Sequence, residues 1–441
     1  MASGIRDSLV TFASRVAAVL LSLASQSCLA WFLGPAGRGS YAVCLVFANV
    51  LSMICMIGLD NGCHYFVASK KATISQGVMH LGFLGAMGSA LAMAAGVFAM
   101  MLPLAYFQKA DADSFRLALL FIPLNFFGTH LPMLLTSIRD FTWYAIIFTL
   151  RVVAQLGGIV LFTGIMGWGV NGVLLAFIAA AALAAVLALA VMRIKHGLKT
   201  ALPSLGLVRG VLSYGCRYYF GKLSNLVNVQ IGTILLAMLA GKADVGLFAI
   251  AMTLTIQVLM VPDTLGTVLL PRVAADPAGR PHLVARSARL SGLICGLILL
   301  VGCLLARPLV PVFFSPRFVP SIVLIWILAP GVWLRSATKI LLPFFNGINR
   351  PGISSVAVIG GVTTNFVLML LLLPVMGLPG AALAVTCGYV VSSLILAFSF
   401  WRVSRMGPLS TWRLTREDLA VLGNVLRSVR GRLSGQARPV V

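Results

Sequence analysis

Stretches of roughly 20 apolar residues, the length a helix needs to cross the hydrocarbon core of a bilayer, recur along nearly the whole chain. A chain patterned this way folds only where lipid is the solvent for most of its surface. With 60% hydrophobic and 10% charged residues, and a mean hydropathy of +1.02, it carries more apolar surface than one water-soluble core can hide. The runs predict spans near 9–33, 40–58, 78–103, 115–137, 142–165, 170–192, 211–240, 246–270, 288–306, 319–345, 353–375 and 380–401. The span at 211–240 opens on the polar run Ser213 to Lys222, and the one at 288–306 can extend through Pro308 and Pro311. No stretch between spans is long enough for a soluble domain. The expected fold class is an all-α polytopic membrane protein of about twelve transmembrane helices.

Positive charge sets the expected orientation, because cytoplasmic loops are enriched in Lys and Arg. With the N-terminus inside, most of the 33 basic residues fall in cytoplasmic segments, among them Lys70, Lys71, Arg139, Arg193, Lys195, Arg286, Arg289, Arg350 and the tail arginines from Arg402 to Arg438. Arg38, Lys109, Lys242, Arg307 and Arg317 are expected in outward loops. Both termini are then cytoplasmic. The formal charge of +23 is spread over short loops and a tail at 404–441, with no folded domain to carry a groove, which argues against nucleic acid. The tail reads as a topology anchor near anionic lipid head groups. Six cysteines lie in apolar helical stretches, no zinc spacing appears, and no cofactor is expected.

The chain also repeats itself. Gly39-Ser40-Tyr41-Ala42 aligns with Gly246-Leu247-Phe248-Ala249 at a shift of 207, and Gly169, Gly172, Leu175 and Ala176 align with Gly377, Gly380, Leu383 and Ala384 at 208. Six helices per half is an even number, so both halves enter from the same side as a parallel repeat. The expected organisation is an N-terminal lobe at 1–199, a C-terminal lobe at 200–403, and a central cavity.

These residues resemble the multidrug/oligosaccharidyl-lipid/polysaccharide exporter superfamily, and within it the polysaccharide (O-antigen type) flippase family. The pieces that carry the resemblance are Leu33-Gly34-Pro35, Gly39-Ser40-Tyr41 and Ile57-Gly58-Leu59-Asp60 early, and Asn346-Gly347-Ile348-Asn349-Arg350-Pro351 with Gly377 to Ala384 late. Such patterns are diffuse and mark the superfamily better than the substrate. The resemblance implies alternating access and transfer of a lipid-linked oligosaccharide, carried on undecaprenyl pyrophosphate, from the cytoplasmic to the periplasmic leaflet of a bacterial inner membrane. It also implies contact with polysaccharide polymerase machinery.

The charge inside the spans points independently to an anionic cargo. Each central Arg or Lys costs roughly 2.5 to 3.5 kcal/mol on insertion scales, so buried bases usually face a cavity or a partner. Arg15, Arg151, Arg217, Lys222, Arg335 and Lys339 are the candidate substrate-binding bases, and Arg116, near a span end, snorkels to head groups. Arg335 and Lys339 share a helix face, as do Arg151 and Gln155. The 207 shift carries Arg15 onto Lys222, and two such cations suit a pyrophosphate. Asp263, after Pro262, is the one acid well inside a span; it reads as an ion-coupling site or as the counter-ion of a buried base. Asp60 and His64 are expected at the membrane interface.

Three rival readings are open. A multidrug exporter of organic cations would need acids in its cavity, the opposite of this balance. The lipid II flippase family, as the resemblance implies, generally carries two further helices, for which there is no room after Trp401. A membrane glycosyltransferase or polymerase would need positioned carboxylates or a metal in a substantial loop; no phosphate loop, metal cluster or nucleophile elbow appears, so a transporter rather than an enzyme is expected.

Overall fold

The computed structural model describes residues 2–56, 58–103, 105–199, 204–266, 281–348, 350–407, 410–413 and 418, and their side chains except those of 2–20, 217–218, 220–229 and 351. The order is α1 (Ala2–Met56), α2 (Leu59–Ala68), α3 (Ile74–Met100), α4 (Ala112–Ser137), α5 (Phe141–Gly158), α6 (Gly169–Lys195), α7 (Leu205–Leu239), α8 (Lys242–Ile256), α9 (Pro281–Phe314), α10 (Ser321–Gly347), α11 (Pro351–Met376) and α12 (Leu378–Ser404). A π-helical turn at Ile159–Ile165 extends α5, and helix resumes at 260–266 beyond α8. Ten helices among the described residues are long and apolar enough to cross a membrane. The first, Leu21–Met56, holds two of the expected spans, while the described apolar parts of α7 are the shorter Leu205–Cys216 and Gln230–Leu239. The all-α architecture read from hydropathy is the one observed, and α9 runs on through Pro308 and Pro311.

The structure departs from the expected loop at 34–39. Gly34 takes φ 62° and ψ −176°, a conformation open to glycine, and Pro35 then starts a second helical arm where its missing N–H leaves no bond unmade. Arg38 therefore sits inside α1, not in an outward loop, and is only 5% exposed. Its neighbour Ser40 donates to the Lys109 carbonyl at 2.5 Å.

Two compact units divide the chain: Met1–Ile250 with Arg307–Ser321, and Ala251–Ala306 with Ile322–Val441. Helices in lipid gain nothing from hydrophobic burial against one another, so close packing falls to small residues. In the first unit a Cβ on Gly128 of α4 would lie 2.3 Å from the Ala181 carbonyl of α6. In the second, a Cβ on Gly361 of α11 would meet Ser392 of α12, whose hydroxyl donates to the Ala357 carbonyl at 2.8 Å. A cluster around Phe344, Phe345 and Phe400 fills the core where α9, α10 and α12 converge.

Loop chemistry fixes the helix ends. Thr73 and Gln76 form a reciprocal capping box at α3. Asp140 caps α5 through the Trp143 N–H, and its Oδ2 accepts from Lys195 Nζ at 3.1 Å and His196 Nε2 at 2.9 Å beyond the end of α6. Burial pushes the Asp140 pKa up, but the hydrogen bonds from His196, Lys195 and the Trp143 N–H outweigh it and hold the carboxyl below its ordinary 3.8. The folded protein thus binds this proton more weakly than the unfolded chain. The stabilisation is complete above the ordinary carboxylate range and is lost as pH falls through the lower folded value. Asp140→Asn is expected to lower the melting temperature at neutral pH, at a cost of about 1–2 kcal/mol. Melting curves of wild type and variant draw together only as pH falls below the ordinary carboxylate range and through the lower folded value; a gap that stays the same from neutral to that acid pH would refute the role.

Candidate translocation site

The repeat seen in the sequence meets itself in the first unit. A Cβ on Gly39 of α1 would lie 1.8 Å from the Lys242 carbonyl oxygen, and one on Gly246 of α8 would lie 1.9 Å from the Pro35 carbonyl oxygen. The two glycines are partners under the 207 shift, and so are Pro35 and Lys242. Each glycine rests on the carbonyl four residues before the other, as a local two-fold relation requires. The helices touch backbone to backbone, with no room for any side chain.

A second close contact lies beyond the other end of the same arm. Gly58, at φ 70°, would place a Cβ 2.5 Å from the Gly215 carbonyl of α7, and Gly62 would place one 2.5 Å from the Val211 carbonyl. Beside them Tyr65 and Tyr214 stack at 4.2 Å with ring planes 10° apart. From Gly39 to Met56 the arm rises roughly 25 Å, close to the thickness of a hydrocarbon core of about 30 Å. The glycine contacts therefore sit at opposite ends of an arm long enough to cross a bilayer core.

Arg38 lies next to the first contact. Its Nη2 donates to Gln26 Oε1 at 2.5 Å, back across the Gly34 bend, and its guanidinium sits 5.0 Å from the Tyr41 ring centroid. Its Nε is buried without a hydrogen-bond partner among the described residues. Sequence patterns do not report that these groups meet, because Gln26 and Arg38 stand on different arms of one bent helix.

Arg151 projects from α5 onto α4. Its Nη1 donates to Thr129 Oγ1 at 2.8 Å and to the Gly128 carbonyl at 3.1 Å, and its Nη2 donates to Asn125 Oδ1 at 2.7 Å. Asn125 and Thr129, four apart, share one face of α4. Pro132 has no N–H to offer the carbonyl four residues back, which is that of Gly128, so Arg151 satisfies an acceptor that the helix leaves open. The Asn125/Thr129 spacing was a legible signal for this site and was missed.

In the second unit Arg335 and Lys339 do share a face of α10. Lys339 Nζ pairs with Asp263 at 2.9 Å to Oδ1 and 3.2 Å to Oδ2. The Lys339 side chain is 19% exposed and that of Asp263 54%, so the pair contributes no more than about 1 kcal/mol. This geometry matches the counter-ion reading of Asp263. Arg335 is 6% exposed and lies 4.2 Å from the Tyr389 ring centroid of α12. Such a desolvated cation–π contact is worth about 2 kcal/mol, which offsets much of the cost of burying the charge.

Of the other bases, Arg116 pairs at 2.7 Å with Asp113, both side chains exposed, as a span-end residue should. Arg15 lies on α1, and Arg217 and Lys222 lie on α7, but their side chains fall outside the described residues. Asp60 is buried at 8% exposure in the first turn of α2, with His130 Nδ1 of α4 at 3.8 Å. His64 lies 3.0 Å from both Thr136 Oγ1 and Ser137 Oγ.

A family model described as "Polysaccharide biosynthesis protein" matches residues 5–275. Among solved structures, the chain is similar to the lipid II flippase MurJ in an inward closed conformation, with a TM-score of 0.69 and 13% identity, covering 97% of this chain and 99% of that one. It is also similar to an inward-facing multidrug resistance MATE family transporter of the MOP superfamily, with a TM-score of 0.64 and 16% identity, covering 88% and 94%. At these identities the likeness is one of fold. The uncharacterized membrane protein MJ1068 of Methanocaldococcus jannaschii is 28% identical over 98 residues, a stretch that makes up 22% of this chain and 19% of that protein.

Proposed function

This chain belongs to the polysaccharide biosynthesis protein family, and from that premise we propose that it is a flippase for an anionic polyprenyl-pyrophosphate-linked oligosaccharide. The cargo moves from the cytoplasmic to the periplasmic leaflet of a bacterial inner membrane and supplies O-antigen or exopolysaccharide synthesis, where polymerase machinery consumes it. Both termini are cytoplasmic. The observation that carries the reading is the surplus of bases within the spans: Arg15, Arg151, Arg217, Lys222 and Arg335 in addition to Lys339, which Asp263 neutralises. Arginine forks match phosphate oxygens two at a time, lysine adds a compact charge, and both interactions strengthen away from bulk water.

The conformational part of the proposal rests on the two glycine contacts. The α1–α8 contact serves as the outer gate, and the α2–α7 contact with its Tyr65–Tyr214 stack serves as the inner gate. Alternating access requires one to part while the other holds. Asp263 acts as a counter-ion that orients Lys339.

The direct test is leaflet transfer of an undecaprenyl-pyrophosphate oligosaccharide in proteoliposomes. Wild type is expected to accelerate transfer, and Arg15→Ala and Lys222→Ala are each expected to slow it about tenfold at matched insertion, the loss of one charge-assisted contact. Uptake of organic cations with no transfer of the pyrophosphate lipid would replace this reading with a multidrug exporter.

A further inference from the structure

A pocket of about 250 Å³ opens beside α9 in the second unit, and its lining changes character from end to end. At one end are Arg289, Thr411 and Trp412; toward the other are Leu293, Leu297 and Leu300, with Trp333 of α10 alongside. Leu297 is 51% exposed and Leu300 57%, on an apolar face of a helix long enough to span a membrane. The Trp333 indole N–H is already used, donating to the Gly292 carbonyl at 2.9 Å, so Trp333 offers the pocket an apolar ring.

Among the described residues the polar end is short of acceptors. Arg289 Nε and Nη2 donate to Asp418 Oδ2 at 2.5 Å and Oδ1 at 3.1 Å, and Nη1 donates to the Ser410 carbonyl at 2.7 Å. Arg286 approaches the same carboxylate at 3.8 Å and stays 38% exposed. Among the described residues, two guanidinium groups thus share one buried carboxylate. The Thr411 hydroxyl, in a residue 1% exposed, and the Trp412 indole N–H are both buried without a hydrogen-bond partner among the described residues. Folded proteins rarely leave such groups unpaired, and an indole N–H can only donate.

We infer that this pocket is a binding site for an anionic glycerophospholipid of the bilayer. The phosphate accepts from Thr411 and Trp412 beside the Arg286/Arg289 charge, and one acyl chain runs past Leu293, Leu297 and Leu300. A basic pocket between apolar helices is suited to that class of ligand. A resident lipid also surrounds the site as solvent, so even modest affinity fills it. Bound there, the lipid bridges Thr411 and Trp412 to α9. The inference does not depend on what the chain transports.

The test uses full-length protein in detergent, titrated with phosphatidylglycerol or phosphatidylcholine while the melting temperature is followed, with native mass spectrometry counting retained lipids. Phosphatidylglycerol is expected to stabilise wild type and to leave one retained lipid, and phosphatidylcholine to do neither. Thr411→Val, which removes one donor, raises the half-saturating phosphatidylglycerol concentration about fivefold. Leu297→Trp, a change on an exposed face, blocks the chain path and abolishes the response. Equal responses to the two lipids, or an unchanged response in both variants, would overturn the site. Displacement of phosphatidylglycerol by equimolar polyprenyl phosphate would overturn the phospholipid assignment.

Discussion

Gly39→Leu is expected to reduce oligosaccharide-lipid transfer at least a hundredfold while the protein still inserts and remains helical. Any Cβ at residue 39 would fall 1.8 Å from a backbone oxygen of α8, and a backbone carbonyl cannot rotate aside as a side chain can. The helices must separate, at a cost near the upper end of overpacking penalties, about 3 kcal/mol. A penalty of that size on one conformation lowers its population about 150-fold. Gly246→Ala, on the reciprocal side, should act in the same sense. A cysteine at Val245, a fully buried position, should become reactive to maleimide in both variants. Gly157→Ala and Gly302→Ala, where an added Cβ meets nothing within 4 Å, should leave transfer unchanged. Wild-type transfer in Gly39→Leu would mean that the α1–α8 contact is static packing rather than a gate.

Arg335→Met is the second large effect, expected to lower transfer by tenfold to about a hundredfold, the value of charge-assisted hydrogen bonds to a phosphate. Methionine keeps an unbranched apolar stem against Tyr389, and apolar replacement of a buried charge is often neutral for stability. The melting temperature should therefore stay near that of wild type while transfer collapses. Tyr389→Phe, which keeps the ring and removes a buried hydroxyl with no hydrogen-bond partner among the described residues, should be close to neutral in both assays. If Arg335→Met instead unfolds the protein, or transfers lipid at the wild-type rate, Arg335 is a packing residue and the anionic site lies elsewhere.

Several features were legible from the residues alone because they are sums over local stretches. Hydropathy identified the membrane class and nearly every span. The 207 shift identified Gly39 and Gly246 as equivalent, and the four-residue spacing put Arg335 and Lys339 on one face. The i, i+4 pair Asn125 and Thr129 could have been read the same way. Arg38 could not, because charge and the Leu33-Gly34-Pro35 break both suggested a loop. The cost of burying its guanidinium is offset by Gln26 and Tyr41, whose positions depend on how sharply the chain bends at Gly34. The His130 ring beside Asp60 was illegible for a similar reason: it comes from α4, roughly 70 residues further along the chain.

The sequence by itself determined that this chain lives in lipid, that Gly39 and Gly246 occupy equivalent places in two similar stretches, and that bases outnumber acids within its apolar runs. Transfer energies and helix periodicity are properties of each segment, and a window of about 20 residues contains them. Only the tertiary structure decided which groups satisfy one another. It set Lys339 against Asp263, 76 residues away, Arg151 against the carbonyl that Pro132 leaves open, and Gly39 against the backbone of its own repeat partner. Hydrogen bonds, ion pairs and steric exclusion act over a few ångströms of space, and separation along a chain does not report that distance.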